Sequence, residues 1–163
     1  MIYNCINLTR RVYKMKKIVT YFSASGVTAS KAKELSEEMK ADLYEIVPET
    51  AYTEADLDWR DKNSRSSVEM KDLSSRPALK ETDHDFSAYD EVWIGFPIWW
   101  YTAPTIINTF VETYDFTGKN IVLFATSGGS DITKAVDDFR KNYPALRIEK
   151  GVLMNGGVRV TKY

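Results

Sequence analysis

The feature that most limits how this chain can fold is a repeated alternation. A short apolar run comes first, then a small polar break, then an amphipathic helical stretch. Residues 18–22 are β-branched and aromatic, which suits a buried strand. After a break at 23–28, residues 29–41 place Ala32, Leu35 and Met39 on one helical face. Residues 43–47 read as a second strand closed by Pro48, and 91–96 as a third stopped by Pro97. Residues 102–114 carry Ala103, Ile106, Ile107, Phe110, Val111 and Tyr114 at helical spacing. Pro104 is tolerated in that first turn, where N–H groups lack helical partners. Residues 120–125 predict a fourth strand, 131–143 a further helix and 151–154 a fifth strand. The polar stretch 49–85 offers only a short helix, around 66–73. Strands that alternate with amphipathic helices need crossover connections, so the expected fold is α/β with a parallel, doubly wound sheet. Such sheets bind ligands beyond the carboxyl ends of their strands.

Composition narrows the function classes. At 163 residues the chain has the length of a single domain, typically about 100–200 residues. Charged residues make up 28% but the net charge is −1, so no field favours nucleic acid or a membrane surface. No apolar run is long enough to cross a bilayer. Cys5 is the sole cysteine, which rules out an internal disulfide and a cysteine-rich metal site, and suits a cytoplasmic location. The sole histidine, His84, stands in the polar run 81–85 and reads as a solvated loop residue, so no metal site is expected. Arg10 and Arg11 follow the apolar stretch at 1–8, the reverse of a secretory signal. Residues 1–14 therefore read as an extension to one domain at 15–163, with Met15 resembling a start of its own.

Parallel topology puts three unusual loops on the same rim of the sheet. The first is Ser23, Ala24, Ser25, Gly26, Val27 and Thr28. Its hydroxyls, its glycine and the following helix start suit a phosphate. No Lys or Arg lies in it, so it lacks the Gly-Lys-Ser/Thr ending of a triphosphate loop, and a terminal monophosphate held by neutral donors fits better. A plain helix cap by Ser25 or Thr28 is the competing reading. The second loop is Pro97, Ile98, Trp99, Trp100 and Tyr101, whose aromatics either pack inward or stack on a planar ligand. The third is Thr126, Ser127, Gly128, Gly129 and Ser130. Its glycines permit positive φ and N–H groups turned to a ligand, or else the loop is a turn capped by Ser130 or Asp131.

At these loops the sequence resembles the flavodoxin-like family, in its flavodoxin-type branch with the Pro-Ile-Trp-Trp motif of Pro97–Trp100. Residues 21–28, 94–100 and 124–130 carry the resemblance, with support from 48–53 and 65–69. It implies FMN as cofactor, a five-stranded sheet in order 2-1-3-4-5, and electron transfer. Ser23 through Thr28 would hold the phosphate, while Pro97 through Tyr101 and Thr126 through Ser130 would hold the isoalloxazine. Trp99 or Trp100 would lie against the isoalloxazine, with Trp99 preferred because it aligns with the usual stacking position. The chain would serve as a carrier or a small NAD(P)H-linked reductase, facing either a redox partner protein or NAD(P)H and a small acceptor. The alternative is a binding module of this fold without redox activity. A phosphatase would need a cysteine-led loop and a phosphoacceptor would need paired acids after the first strand, and neither is present. No side chain is assigned a catalytic role.

The sequence departs from the family pattern in three places. The chain is nearly neutral, whereas electron-shuttling flavodoxins are strongly acidic. Residues 155–163 make a poor helix, so the final helix is expected to be missing and one sheet face to need cover from 1–14 or from a second copy in a homodimer. No glycine stands in Ile98-Trp99-Trp100-Tyr101, where the family usually has one beside the flavin. Other residues resist positive φ, so the resemblance there points to two-electron work rather than single-electron shuttling.

Overall fold

A computed structural model describes residues 13–155 together with the pair Thr161–Lys162. The apolar runs become β1 (Lys17–Tyr21), β2 (Asp42–Glu45), β3 (Glu91–Pro97), β4 (Asn120–Thr126) and β5 (Arg147–Leu153). They pair in parallel in the order β2-β1-β3-β4-β5, as the resemblance implies. The connecting helices are α1 (Val27–Met39), α2 (Arg65–Lys71), α3 (Thr105–Thr113) and α4 (Thr133–Asn142). Strand residues alternate between two apolar layers. Ile94, Phe96, Ile121 and Leu123 pack with Ile106 and Phe110 of α3 and with Ala135 and Phe139 of α4. Val19, Trp93, Val122, Phe124 and Val152 pack with Ala32 and Leu35 of α1.

Several elements differ from the sequence expectation. Helix α1 starts two residues early, because Gly26 takes φ 91° and turns the chain directly into the helix. Helix α3 starts late, at Thr105, because Thr102 is drawn into a hairpin with Trp99. Strand β5 is longer than 151–154. Its first half, Arg147-Ile148-Glu149-Lys150, is polar and carries a bulge: Ile121 faces Ile148 but Val122 faces Lys150, which leaves Glu149 as the extra residue. Period-2 patterning fails across such a point.

Among the described residues no helix follows β5. A short β6 (Thr161–Lys162) instead pairs antiparallel with Val152 and Leu153 at the sheet edge. Residues 156–160 of the tail and 1–12 of the expected extension lie outside the described residues. Tyr13 is tied to the domain, donating to Asp90 Oδ1 at 2.6 Å. The layer behind this edge is covered, with Trp93 8% and Val122 3% exposed, while the expected cover by 1–14 falls on residues of which only 13 and 14 are described. Helix α1 packs on that layer, and a polar rim closes over Trp93: its Nε1 donates to Glu91, Lys17 pairs with Glu91, and Lys150 lies 5.9 Å above its ring. His84 is also not a free loop residue. It is half-buried, with its ring 4.5 Å from those of Tyr44 and Phe86.

Gly95 in β3 lies beneath the Phe124 ring, and a Cβ there would collide with three of the ring carbons. Gly95→Ala should therefore cost about 1–3 kcal/mol through overpacking. Urea unfolding should show a lowered midpoint with an unchanged slope, and Phe124→Leu in the same chain should recover part of the loss. An unchanged midpoint for Gly95→Ala would refute this packing.

Candidate functional site

Strand register brings the three loops together. Pro97 of β3 sits opposite Thr126 of β4, and the Ile98 N–H donates to the Thr126 carbonyl at 2.9 Å. The Phe22 N–H donates to the Gly95 carbonyl at 2.9 Å, which aligns the first loop with the second. Deeper in, the hydroxyls of Thr28 and Thr126 lie 2.8 Å apart and are buried, tying the first loop to the third.

Two adjoining cavities open between these loops. The first, about 420 Å³, is lined by Ala24, Ser25, Pro97, Ile98, Trp99, Trp100, Tyr101 and Ser130, joined by Leu57, Trp59 and Ser66. None of these residues is charged. The second, about 480 Å³, is lined by Ser25, Val27, Pro97, Ile98, Trp99, Thr126, Ser127 and Gly128, joined by Lys31, Met154 and Asn155. Ser25, Pro97, Ile98 and Trp99 are common to both, so the two form one cleft divided at Trp99.

The first loop presents an open helix start. Gly26 at the N-cap carries no side chain, and no side-chain hydrogen bond caps α1. The competing reading of a helix cap by Ser25 or Thr28 is thereby removed. Such a start leaves early N–H groups and the positive end of the helix dipole for an anion. The hydroxyls divide their roles. Ser23 Oγ accepts from the Gly26 N–H at 3.0 Å and shapes the turn. Thr28 points inward to Thr126, whereas Ser25 is exposed and faces both cavities.

The aromatic loop is a strained turn. Trp99 and Thr102 exchange backbone hydrogen bonds at 2.9 and 3.1 Å, with Trp100 and Tyr101 at φ 45° and 69° between them. Positive φ at both central residues belongs to the I′ class of hairpin turn, usually filled by Asn-Gly. Left-handed backbone costs other residues roughly 1–2 kcal/mol each. The expectation that the lack of glycine would keep this loop out of positive φ is thus not met. The Thr102 hydroxyl, donating to Asp138 Oδ2 at 2.7 Å, helps hold the turn to α4. Trp100 and Tyr101 remain exposed at the cavity mouth, as does Trp59 across from them.

Trp99 is fixed from below. Its ring meets Phe22 and Tyr52 edge-on, at centroid distances of 5.7 and 5.5 Å. Tyr52 is locked in turn, donating to Glu69 Oε2 at 2.6 Å beneath the Arg65 guanidinium 3.9 Å above its ring. Arg65 closes the set by donating to Glu69 Oε1 at 2.8 Å and to the Thr50 carbonyl. Burial, reinforced by the Glu69 hydrogen bond and charge, holds the Tyr52 phenol well above its ordinary value. It therefore remains a donor at neutral pH.

The third loop behaves differently from its expectation. Gly128 and Gly129 do not adopt positive φ. The N–H groups of Gly129 and Ser130 turn back to Ser127 Oγ at 3.1 and 2.8 Å, and the Ser127 N–H donates to Asn155. Asp131 Oδ1 accepts from the Thr133 N–H, but the N-cap of α4 is Ile132 rather than the Ser130 or Asp131 that the turn reading expected. A Cβ at either glycine would meet open space, so this wall is low rather than crowded.

Sequence patterns did not single out Lys31, Leu57, Trp59, Ser66, Met154 or Asn155. Leu57 and Trp59 stand in a non-repetitive loop, where periodicity carries no information. Lys31 had a usable signal: it lies four residues after Val27, on the same helical face. Among the described residues no cluster suits a metal ion, and no helix is long and apolar enough to cross a membrane.

Residues 16–163 match the model of a family described as Flavodoxin. No curated protein matches the chain. Among solved structures, a provisionally designated flavoprotein from Bacteroides uniformis ATCC 8492 is 52% identical, with 89% of this chain and 93% of that chain covered at a TM-score of 0.87. A protein of the same designation from Bacteroides eggerthii DSM 20697 is 50% identical, with 88% and 90% covered at a TM-score of 0.86. A flavoprotein in complex with FMN, from Lactobacillus acidophilus NCFM, is 24% identical, with 86% and 93% covered at a TM-score of 0.71.

Thr102→Val removes the hydroxyl that helps hold the aromatic turn to Asp138. The expected cost is about 1 kcal/mol in urea unfolding. Hydrogen exchange should speed up at the Trp99 and Thr102 amides while those of β3 stay protected. Uniform exchange across both regions would show that the turn does not depend on this contact.

Proposed function

This chain belongs to the flavodoxin family, and on that premise we propose that it binds FMN along the divided cleft and works as an electron-transferring flavoprotein, either a carrier or a small NAD(P)H-linked reductase. The observation that carries the reading is the chemical asymmetry of the cleft. One cavity is uncharged and aromatic, and the other lies beside an uncapped helix start. A neutral ring system bearing a phosphate needs that pair of environments. The FMN complex of the Lactobacillus acidophilus flavoprotein, which shares the fold, is consistent with it.

The residues fit the group. Ser25 and the open start of α1 would receive the phosphate, with Ser23 and the Thr28–Thr126 tie holding the loop in shape. Trp99, braced by Phe22 and Tyr52, would present its indole to the isoalloxazine. Trp59, Trp100 and Tyr101 rim the uncharged cavity and would limit water around the ring. Bound FMN would supply reversible uptake of one or two electrons, chemistry that no side chain of the chain offers. The protein's part is to position the ring and to set its polarity through an uncharged wall. Since the aromatic turn already takes positive φ, its residues give no reason to prefer two-electron over one-electron work.

The purified chain should be yellow, and its apo form should bind FMN with one equivalent quenching flavin fluorescence. Trp99→Ala should weaken that binding about three- to tenfold, the equivalent of about 0.5–1.5 kcal/mol of ring–ring contact. A chain that binds no flavin under any condition of reconstitution would sink the proposal. An unchanged affinity in Trp99→Ala would remove Trp99 from the ring site while leaving the cofactor in place.

A further inference from the structure

The first loop lacks a cation, yet the cleft does not. Lys31 lies one turn into α1, on the face shared with Val27, and both line the second cavity beside Ser25 and Ser127. Its side chain is only 18% exposed, and Nζ lies 2.9 Å from Glu34 Oε2 on the same helix. Among the described residues, Lys31 is the one charged residue in the wall of either cavity.

The loop hydroxyls make that charge matter. The Thr28 hydroxyl is buried against Thr126, and Ser23 Oγ already accepts the Gly26 N–H. Of the three hydroxyls in the first loop, Ser25 is the exposed one facing both cavities. With Ser25 and the N–H groups of the open α1 start as the neutral donors, a half-buried ammonium in the same wall adds the full positive charge that a phosphate dianion calls for.

We propose that Lys31 is the specificity-determining cation of this cleft, giving it preference for a phosphorylated flavin over the unphosphorylated one and fixing which end of the ligand enters which cavity. The proposal rests on the flavin reading above and adds to it a charge that a neutral phosphate loop would not have. Glu34 is 44% exposed at its side chain and holds Lys31 in place from the solvent side. A phosphate would share the ammonium with Glu34, because a lysine has three N–H donors to distribute.

The test titrates FMN and riboflavin against the apo form of the full chain, with flavin fluorescence as the readout. Lys31→Gln should weaken FMN about tenfold and leave riboflavin unchanged, and Lys31→Arg should restore most of the FMN affinity. Glu34→Gln breaks the same ion pair but keeps the cation, so FMN should bind it at least as well as the parent. Equal weakening of both ligands in Lys31→Gln, no weakening of FMN, or the same loss in Glu34→Gln would each overturn the assignment. In those cases the parent still binds FMN and the cofactor reading stands. A parent chain that binds neither flavin overturns both.

Discussion

Everything at the site depends on the lateral register of β1, β3 and β4. Parallel strands deliver all their carboxyl ends to one rim, and the ladder fixes how far each extends. Pro97 sits beside Thr126, and Phe22 reaches the Gly95 carbonyl, so the three loops leave the sheet side by side. That register requires Gly95, because the Phe124 ring of the neighbouring strand occupies the space a side chain would need. A packing constraint in the sheet is thus also a positional constraint on the cleft.

Above the rim, the loops are held by polar ties of small size. Thr28 with Thr126 joins the first loop to the third, and Thr102 with Asp138 joins the aromatic turn to α4. Trp99 receives a different kind of support, through rings and a partly buried ion pair: Phe22, Tyr52, Glu69 and Arg65 form a wedge beneath it. Two of those residues lie on α2, and Tyr52 lies in the loop leading toward it. The region with the least legible sequence therefore braces the most conspicuous aromatic of the cleft.

The strands and the three loops were legible because their signals are local, whereas the sheet order followed from the family resemblance alone. A buried strand is a short apolar run, and a strand-to-helix loop shows its small residues directly. What was missed depends on tertiary context. The bulge at Glu149 breaks the alternation that would have revealed the first half of β5. Thr28 reads as a ligand hydroxyl until Thr126 appears beside it, ninety-eight residues away. His84 reads as solvated because its neighbours in sequence are charged, yet its neighbours in space are Tyr44 and Phe86. Trp59 reaches the cavity wall along an irregular path that no period encodes. The I′ turn was hidden because aromatic residues stand where turn chemistry calls for Asn and Gly.

The bulge in β5 also governs how the domain tolerates changes in chain length. Because Glu149 is an extra residue, Val152 faces the α1 layer and Gly151 the α4 side, where a Cβ would collide with Val136 and Ile132. Losing Glu149 would only remove the bulge and leave Ile148, Lys150, Gly151 and Val152 on the faces they hold, whereas gaining one residue just before Val152 would exchange the two faces from there on. Val152 would then confront α4, and that helix would be pushed off the sheet together with the loop it anchors over the cleft. Single substitutions along the exposed edge of β5 are mild by comparison, so natural variation here should favour replacement or loss of the extra residue over insertion.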